Sequence, residues 1–118
     1  MTEYLIGIMF HEPEAWKLWS KGIIEDYESS TGLYVEADSL QEAMSWAETV
    51  GEKLLKYVNE DDSLNYKELG YYCWHEPNIE ESGWSHCLGH FQHVKAGEMP
   101  VLENMSTKAY EKWQNENT

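Results

Sequence analysis

The sequence predicts an α+β fold. We expect a single small domain over residues 1–118, in which an antiparallel sheet of about four strands packs on one main helix, near residues 39–59, with short flanking helices. Two observations predict this fold: one long segment has the apolar periodicity of a helix, and the segments around it have the short apolar or alternating pattern of strands. The length of 118 residues suits one domain with one core.

The main helix has the clearest signals in the sequence. Ser39 is followed three residues later by Glu42, which is the pattern of a capping box at a helix start. Apolar residues then recur three and four positions apart, and the polar cluster at residues 59–63 ends the segment. The apolar series consists of Leu40, Ala43, Met44, Ala47, Val50, Leu54, Leu55 and Val58.

Two strands are predicted on the N-terminal side of this helix. Residues 4–10 form a short apolar run, and residues 32–37 alternate apolar and polar positions directly before the helix cap. A short helix at residues 13–21 would begin at Pro13 and stop at Gly22, although an irregular segment also fits these residues. A final short helix is predicted at residues 107–114.

A hairpin is predicted on the C-terminal side of the helix. Residues 68–75 and 84–94 are rich in Tyr, Trp, His and Cys, and the turn-forming residues 76–83 separate them. If this hairpin were symmetric about Glu80, Cys73 would face Cys87 across the two strands.

The charge of the chain excludes several classes of partner. Eight lysines and no arginine oppose 22 carboxylates, for a formal net charge of −14. Duplex binding needs a cationic face and arginine for base contacts, and anionic lipid repels an acidic surface. We therefore expect no nucleic-acid partner and no membrane partner. The aromatic fraction of 14% predicts a folded rather than a disordered chain.

The N-terminus and the cysteines predict a cytoplasmic protein. The apolar run at residues 5–10 is too short for a signal peptide or a membrane span, and it lacks a basic lead-in. Cys73 and Cys87 are then expected as thiols in a reducing compartment. We expect a bacterial type of cytoplasmic protein.

The predicted hairpin, residues 73–93, also concentrates the residues that could bind a metal or act in catalysis. Zinc prefers thiolate and imidazole ligands, but alternation on a strand would send these side chains to opposite faces, and no Cys-x-x-Cys pair is present. We therefore predict no metal and no cofactor, and we keep a small metal protein or enzyme as the alternative. Its candidate residues are Cys73, His75, His86, Cys87, His90 and His93.

Other catalytic patterns are incomplete. Residues 83–87 approach the nucleophile elbow of hydrolases, but Cys87 stands where the motif needs glycine. The acidic pairs are adjacent in sequence, whereas glycosidase chemistry needs carboxyls that face each other across a pocket. No glycine-rich phosphate loop is present. We predict no catalytic residue, so an enzyme is the less favoured interpretation.

The remaining feature is the acidic, aromatic surface. Carboxylates steer a basic protein to its site, and Trp and Tyr anchors then supply affinity. The favoured hypothesis is a non-enzymatic binding module for a basic protein. In composition and size, though not in any motif, the chain is similar to bacterial immunity proteins that inhibit nuclease toxins. A domain whose charge serves only solubility, and a homodimer through a sheet edge, are left open. The predicted partner-binding residues are Glu14, Trp16, Trp19, Glu25, Asp26, Tyr27, Glu28, Glu80, Glu81 and Trp84.

Overall fold

The computed structural model describes residues 1–23 and 28–117. Within these ranges four strands and three helices follow one another, with short 3-10 helices at Ile79–Glu81, Leu88–His90 and Leu102–Met105. The main elements are β1 (Thr2–His11), α1 (Pro13–Ser20), β2 (Glu28–Ala37), α2 (Leu40–Asn59), β3 (Cys73–His75), β4 (His93–Lys95) and α3 (Thr107–Glu116). The predicted α+β fold with one main helix is confirmed. None of the helices within the described ranges is both long and apolar enough to cross a membrane.

The sheet is mixed, and not antiparallel as predicted. Its strand order is β3-β1-β2-β4. The two long strands β1 and β2 pair along their whole length, and β3 is antiparallel to β1. The fourth strand, β4, is parallel to β2. Since β3 and β4 run in the same direction at opposite edges, the chain between them must cross the sheet, as parallel connections require.

The predicted hairpin of residues 68–75 and 84–94 is therefore wrong. Only residues 73–75 of the first segment and residues 93–94 of the second are strand, and Cys73 lies opposite Ile8 of β1 rather than opposite Cys87. Residues 76–92 instead cross one face of the sheet, where Cys87 and Phe91 are buried against Leu5 and Tyr34. We call this segment the crossover. Burial of its apolar side chains on the sheet replaces the strand pairing that their pattern predicted.

The other face of the sheet carries the main core. Alternate residues of β1 and β2 face the helix α2, and these contacts bury Ala43, Ala47, Val50, Leu54 and Leu55 of the predicted apolar series. Met44 and Val58 are partly buried, and Leu40 at the start of the helix is exposed. The fully buried residues of this core include Ile6, Ile8, Leu33, Val35, Val50, Leu54 and Leu55. At the start of α2, Ser39 Oγ accepts a hydrogen bond from the Glu42 amide at 3.1 Å. The helix ends at Asn59, and the next residue, Glu60, caps it with a left-handed backbone (φ 52°).

Two glycines make room for aromatic rings on the face of the sheet that the crossover covers, namely those of Trp74 in β3 and Phe91 in the crossover. Gly7 and Gly32 are direct partners in the β1–β2 register. A Cβ atom at Gly7 would lie 2.2 Å from Trp74 Cε2, and one at Gly32 would lie 2.5 Å from Phe91 Cε2. The two aromatic rings thus lie directly on the backbone at the centre of the sheet. The buried side chains on this face, Leu5, Tyr34, Cys87 and Phe91, form a second core, and the helix α3 adds Tyr110 and Trp113 to it.

Candidate binding surface

The helix α1 presents two tryptophans to solvent. Pro13 occupies the first turn, where its missing N–H costs nothing, and no residue of the helix is buried. Trp16 is 39% exposed and Trp19 is 40% exposed. Their spacing of three residues puts them side by side, with ring centroids 5.3 Å apart. We call these two residues the tryptophan pair. The helix predicted at this position is confirmed.

A buried histidine supports the tryptophan pair. The His11 side chain, at the end of β1, lies with its ring centroid 5.0 Å from that of Trp16. Its Nδ1 shares a short hydrogen bond with the Tyr71 hydroxyl. Asn59 Nδ2, at the end of α2, donates to the His11 carbonyl at 3.0 Å. Because these contacts join β1 and α2 to the base of α1, Trp16 lies on an ordered support.

The groove beside the pair combines apolar and charged walls. It measures about 530 Å³ and runs between α1 and the loop that follows α2. Leu64 and Leu69 line its apolar part, and Asp61, Lys17 and Lys21 lie along it. The Ser63 hydroxyl and amide both donate to Asp61 Oδ1, and these hydrogen bonds lower the pKa of the Asp61 carboxyl. Asp61 therefore contributes a negative charge to the groove that Trp16 lines, opposite the positive charges of Lys17 and Lys21.

Burial of His11 predicts a pH-dependent stability. Desolvation lowers the pKa of its imidazole below the usual 6.5. As the pH falls below 6.5, the unfolded chain takes up a proton at this site before the folded chain does, so protonation favours unfolding. The stabilisation is complete above 6.5 and is lost as the pH falls toward the folded pKa. We expect the urea midpoint of the wild type to decrease between about pH 7.5 and about pH 5.5.

Two variants show which histidines cause the pH dependence of the stability. His11→Asn removes the titrating group, keeps a polar partner for the Tyr71 hydroxyl, and should flatten part of the pH profile. His90 also has its pKa lowered by burial, so His90→Asn should flatten a further part. A pH profile that neither substitution changes would contradict the prediction.

The other predicted partner-binding residues occupy different places. Glu14 is exposed on α1, Glu28 is exposed at the start of β2, and Glu80 and Glu81 are exposed on a 3-10 helix of the crossover. Trp84 is half-buried. Its indole stacks on Trp74 at 5.7 Å and meets Phe91 edge-on at 5.2 Å, so it belongs largely to the second core. Glu25, Asp26 and Tyr27 lie outside the described residues.

The six residues of the metal or enzyme alternative are dispersed. Cys73 lies in the main core and Cys87 in the second core, on opposite faces of the sheet. His93 Nδ1 lies 2.7 Å from Glu3 Oε2, and its ring stacks on Tyr34. His75 lies near Tyr4, His86 Nε2 lies 3.2 Å from the Tyr110 hydroxyl, and His90 contacts Trp113. In residues 1–23 and 28–117, no group of three or more His, Cys, Asp or Glu side chains could hold a metal ion.

The two thiols are in environments that suppress their reactivity. Burial raises the pKa of Cys73 to about 11. Burial also raises the pKa of Cys87, whose Sγ donates to the Trp84 carbonyl at 3.4 Å. A nucleophilic cysteine needs the opposite, namely a pKa lowered by a nearby positive charge. Both residues therefore act as small buried side chains at neutral pH.

Sequence reasoning missed two features of this region. The support from His11, Tyr71 and Asn59 joins residues far apart in the chain, and no local pattern indicates it. A pocket at the outer edge of β2, lined by Ser29 to Thr31 and by the first turn of α3, was also not foreseen. The only available signal was the run of small hydroxyl residues before the apolar part of β2.

Comparisons with protein-family models, with curated proteins and with solved structures give no match for this chain.

Proposed function

We propose that this protein is a non-enzymatic, acidic binding module that engages a basic protein partner in the cytoplasm, in the manner of an immunity-type inhibitor. One observation carries the proposal: α1 buries none of its residues, yet it displays two adjacent tryptophans. Trp is enriched among the residues that dominate binding energy at protein interfaces. A pair of exposed indoles on an ordered support is therefore a suitable anchor.

The charge of the chain supports a basic partner. The acidic excess is large, and two lysine–carboxylate ion pairs form within the described ranges, Lys56–Glu52 and Lys67–Glu48, each at 3.4 Å. Most carboxylates thus contribute to an outward negative field, which accelerates encounter with a cationic protein. Glu14 and Asp61 bring part of that charge close to the tryptophan pair. Lys17 and Lys21 are its local counter-charges, and they restrict which basic surfaces fit.

The test compares three forms of the chain. A Trp16→Ala, Trp19→Ala double variant removes the anchor, while Tyr57→Ala removes an exposed aromatic of α2 that is 49% accessible. Each form is used to capture proteins from cell extract at low salt, and the partner retained by the wild type is then purified for calorimetry. We expect a basic partner whose affinity falls by about tenfold or more in the double variant and is unchanged in the Tyr57→Ala control.

Salt provides the second criterion. Exposed charges are screened as ionic strength rises, so affinity should fall between roughly 0.05 M and roughly 0.5 M salt. An acidic or neutral partner, an affinity constant across this range, or equal losses in the double variant and the control would each contradict the proposal.

A further inference from the structure

The outer edge of β2 is only partly covered. Strand β4 pairs with Tyr34, Val35 and Glu36, whereas β2 begins at Glu28. Within the described part of the chain, no strand pairs with the outer side of residues 29–33. The Tyr34 amide donates to the Gln92 carbonyl, so even-numbered residues of β2 direct their backbone groups outward. Ser30 therefore presents its N–H and C=O groups toward the position that a further strand would occupy.

A pocket of about 320 Å³ lies at this position. Ser29, Ser30 and Thr31 form one wall, and the first turn of α3 forms the opposite wall. The opposite wall is held in place, because Ser106 Oγ accepts from the Ala109 amide and the Thr107 amide donates to Glu12 Oε1 at 2.9 Å. The space beside the open edge is thus a shaped cavity rather than a flat surface.

The lining of the pocket selects an uncharged, apolar group. Among the described residues, no Asp, Glu or Lys side chain lines it, and its one imidazole, that of His86, has its Nε2 3.2 Å from the Tyr110 hydroxyl. Aromatic and sulfur-containing side chains contribute apolar surface, and hydroxyl groups of Ser and Thr lie on the walls beside it. A charged side chain would lose its hydration on entering such a pocket, which costs free energy, whereas an aromatic or aliphatic side chain would enter favourably. Its apolar residues are Phe10, Trp84, Cys87, Phe91 and Met105.

We propose that this edge binds an extended segment of another protein by strand addition. The segment forms backbone hydrogen bonds with Ser30 and inserts one apolar side chain into the pocket. In strand addition the backbone hydrogen bonds supply affinity, and the side-chain pocket supplies specificity. Because the chain carries a net charge of −14, the segment is one whose flanking residues are lysine or arginine. The site is separate from the tryptophan pair, and it does not depend on the function proposed for α1.

Capped peptides test the proposal directly. The probe is the acetylated, amidated pentapeptide Lys-Val-Phe-Val-Lys, titrated into ¹⁵N-labelled protein and followed by NMR. We expect saturable shifts at Ser29–Thr31 and at Tyr110, and slower exchange of the Ser30 amide. Replacing the central Phe by Asp, or N-methylating the three central residues, should each weaken binding by roughly tenfold or more.

Two variants at one position separate backbone from side chain. Ser30→Pro removes the outward N–H and should weaken the peptide by about tenfold, whereas Ser30→Ala keeps that N–H and should bind like the wild type. The N-methylated peptide also tests whether backbone hydrogen bonds carry the binding, and it does so with the wild-type protein. The proposal therefore stays testable even if the Ser30→Pro variant fails to fold.

Several results would overturn the proposal. They are equal binding of the N-methylated and unmodified peptides, saturable shifts confined to α1, or no saturable shift with the parent peptide. Indole binding as tightly as the peptide would indicate a small-molecule pocket instead. A concentration-dependent dimer that the peptide does not dissociate would assign the edge to a second copy of the chain.

Discussion

Replacing Leu54 by alanine is expected to lower the free energy of unfolding by about 3 kcal/mol. Leu54 lies in α2, is fully buried, and belongs to the core between the helix and the sheet. The substitution removes buried apolar surface and leaves a cavity among rigid strand residues, and both effects destabilise the folded state. Urea denaturation followed by tryptophan fluorescence would measure the change.

Leu40 of the same helix is the matched control. It is 38% exposed at the first position of α2, so its replacement by alanine removes the same atoms from a largely solvated site. We expect a cost below about 1 kcal/mol, since alanine also has the higher helix propensity. Similar costs for the two substitutions would show that α2 does not bury the face on which Leu54 lies.

Replacing Gly7 by alanine is expected to cost about 2 to 3 kcal/mol, although the change adds one methyl group. The added Cβ would lie 2.2 Å from Trp74 Cε2, far inside van der Waals contact. The indole cannot move away freely, because Trp74 Nε1 donates to Glu76 Oε1 at 2.7 Å and the ring stacks on Trp84. Gly83→Ala is the control, since a Cβ at Gly83 meets no atom within 4 Å.

A double-mutant cycle identifies the cause. In a Trp74→Ala background the indole is absent, so Gly7→Ala should cost about 0 kcal/mol or stabilise slightly by reducing the entropy of the unfolded chain. Equilibrium unfolding of the four proteins gives the coupling energy between the two positions. If Gly7→Ala costs the same with and without the indole, the Trp74 ring does not lie on this glycine.

The elements with strong local patterns could be predicted from the sequence. The apolar series of α2 has eight members at helical spacing after a capping serine, and the helix appears over Leu40–Asn59. The apolar run at residues 4–10 and the alternation at residues 32–37 likewise became β1 and β2. In these segments local preference and burial favour the same conformation, so short-range pattern is sufficient.

The crossover could not be predicted in this way. Its Trp, Cys and Phe residues suit a pleated strand, and the turn-forming residues 76–83 suit a hairpin. The alternative depends on Gly7 and Gly32, which lie side by side only after β1 and β2 have paired. That bare strip of backbone accepts the rings of Trp74 and Phe91, and no pattern within the crossover indicates it.

The candidate binding surface was likewise predicted in part from the sequence and decided in part by the fold. Composition alone indicated that some tryptophans would be exposed, and the acidic neighbours of Trp16 and Trp84 made both residues candidates. In the fold, Trp16 and Trp19 lie on a helix with no buried residue, whereas Trp84 packs between Trp74 and Phe91. Two aromatic residues in similar local sequence thus differ in accessibility because one segment crosses the sheet and the other does not.

The sequence by itself determined the class of this protein, namely an acidic α+β chain with one capped amphipathic helix and two strands on the N-terminal side of it, and its charge is the reason that we expect no nucleic-acid partner. These properties depend on composition and on periodicities of two and about 3.6 residues, which are local. Only the tertiary structure decided the parallel placement of β4, the separation of Cys73 from Cys87, and the open edge of β2 beside a pocket. Those features arise from contacts between distant segments, and the free energy of such contacts depends on surfaces that exist only after the strands have paired.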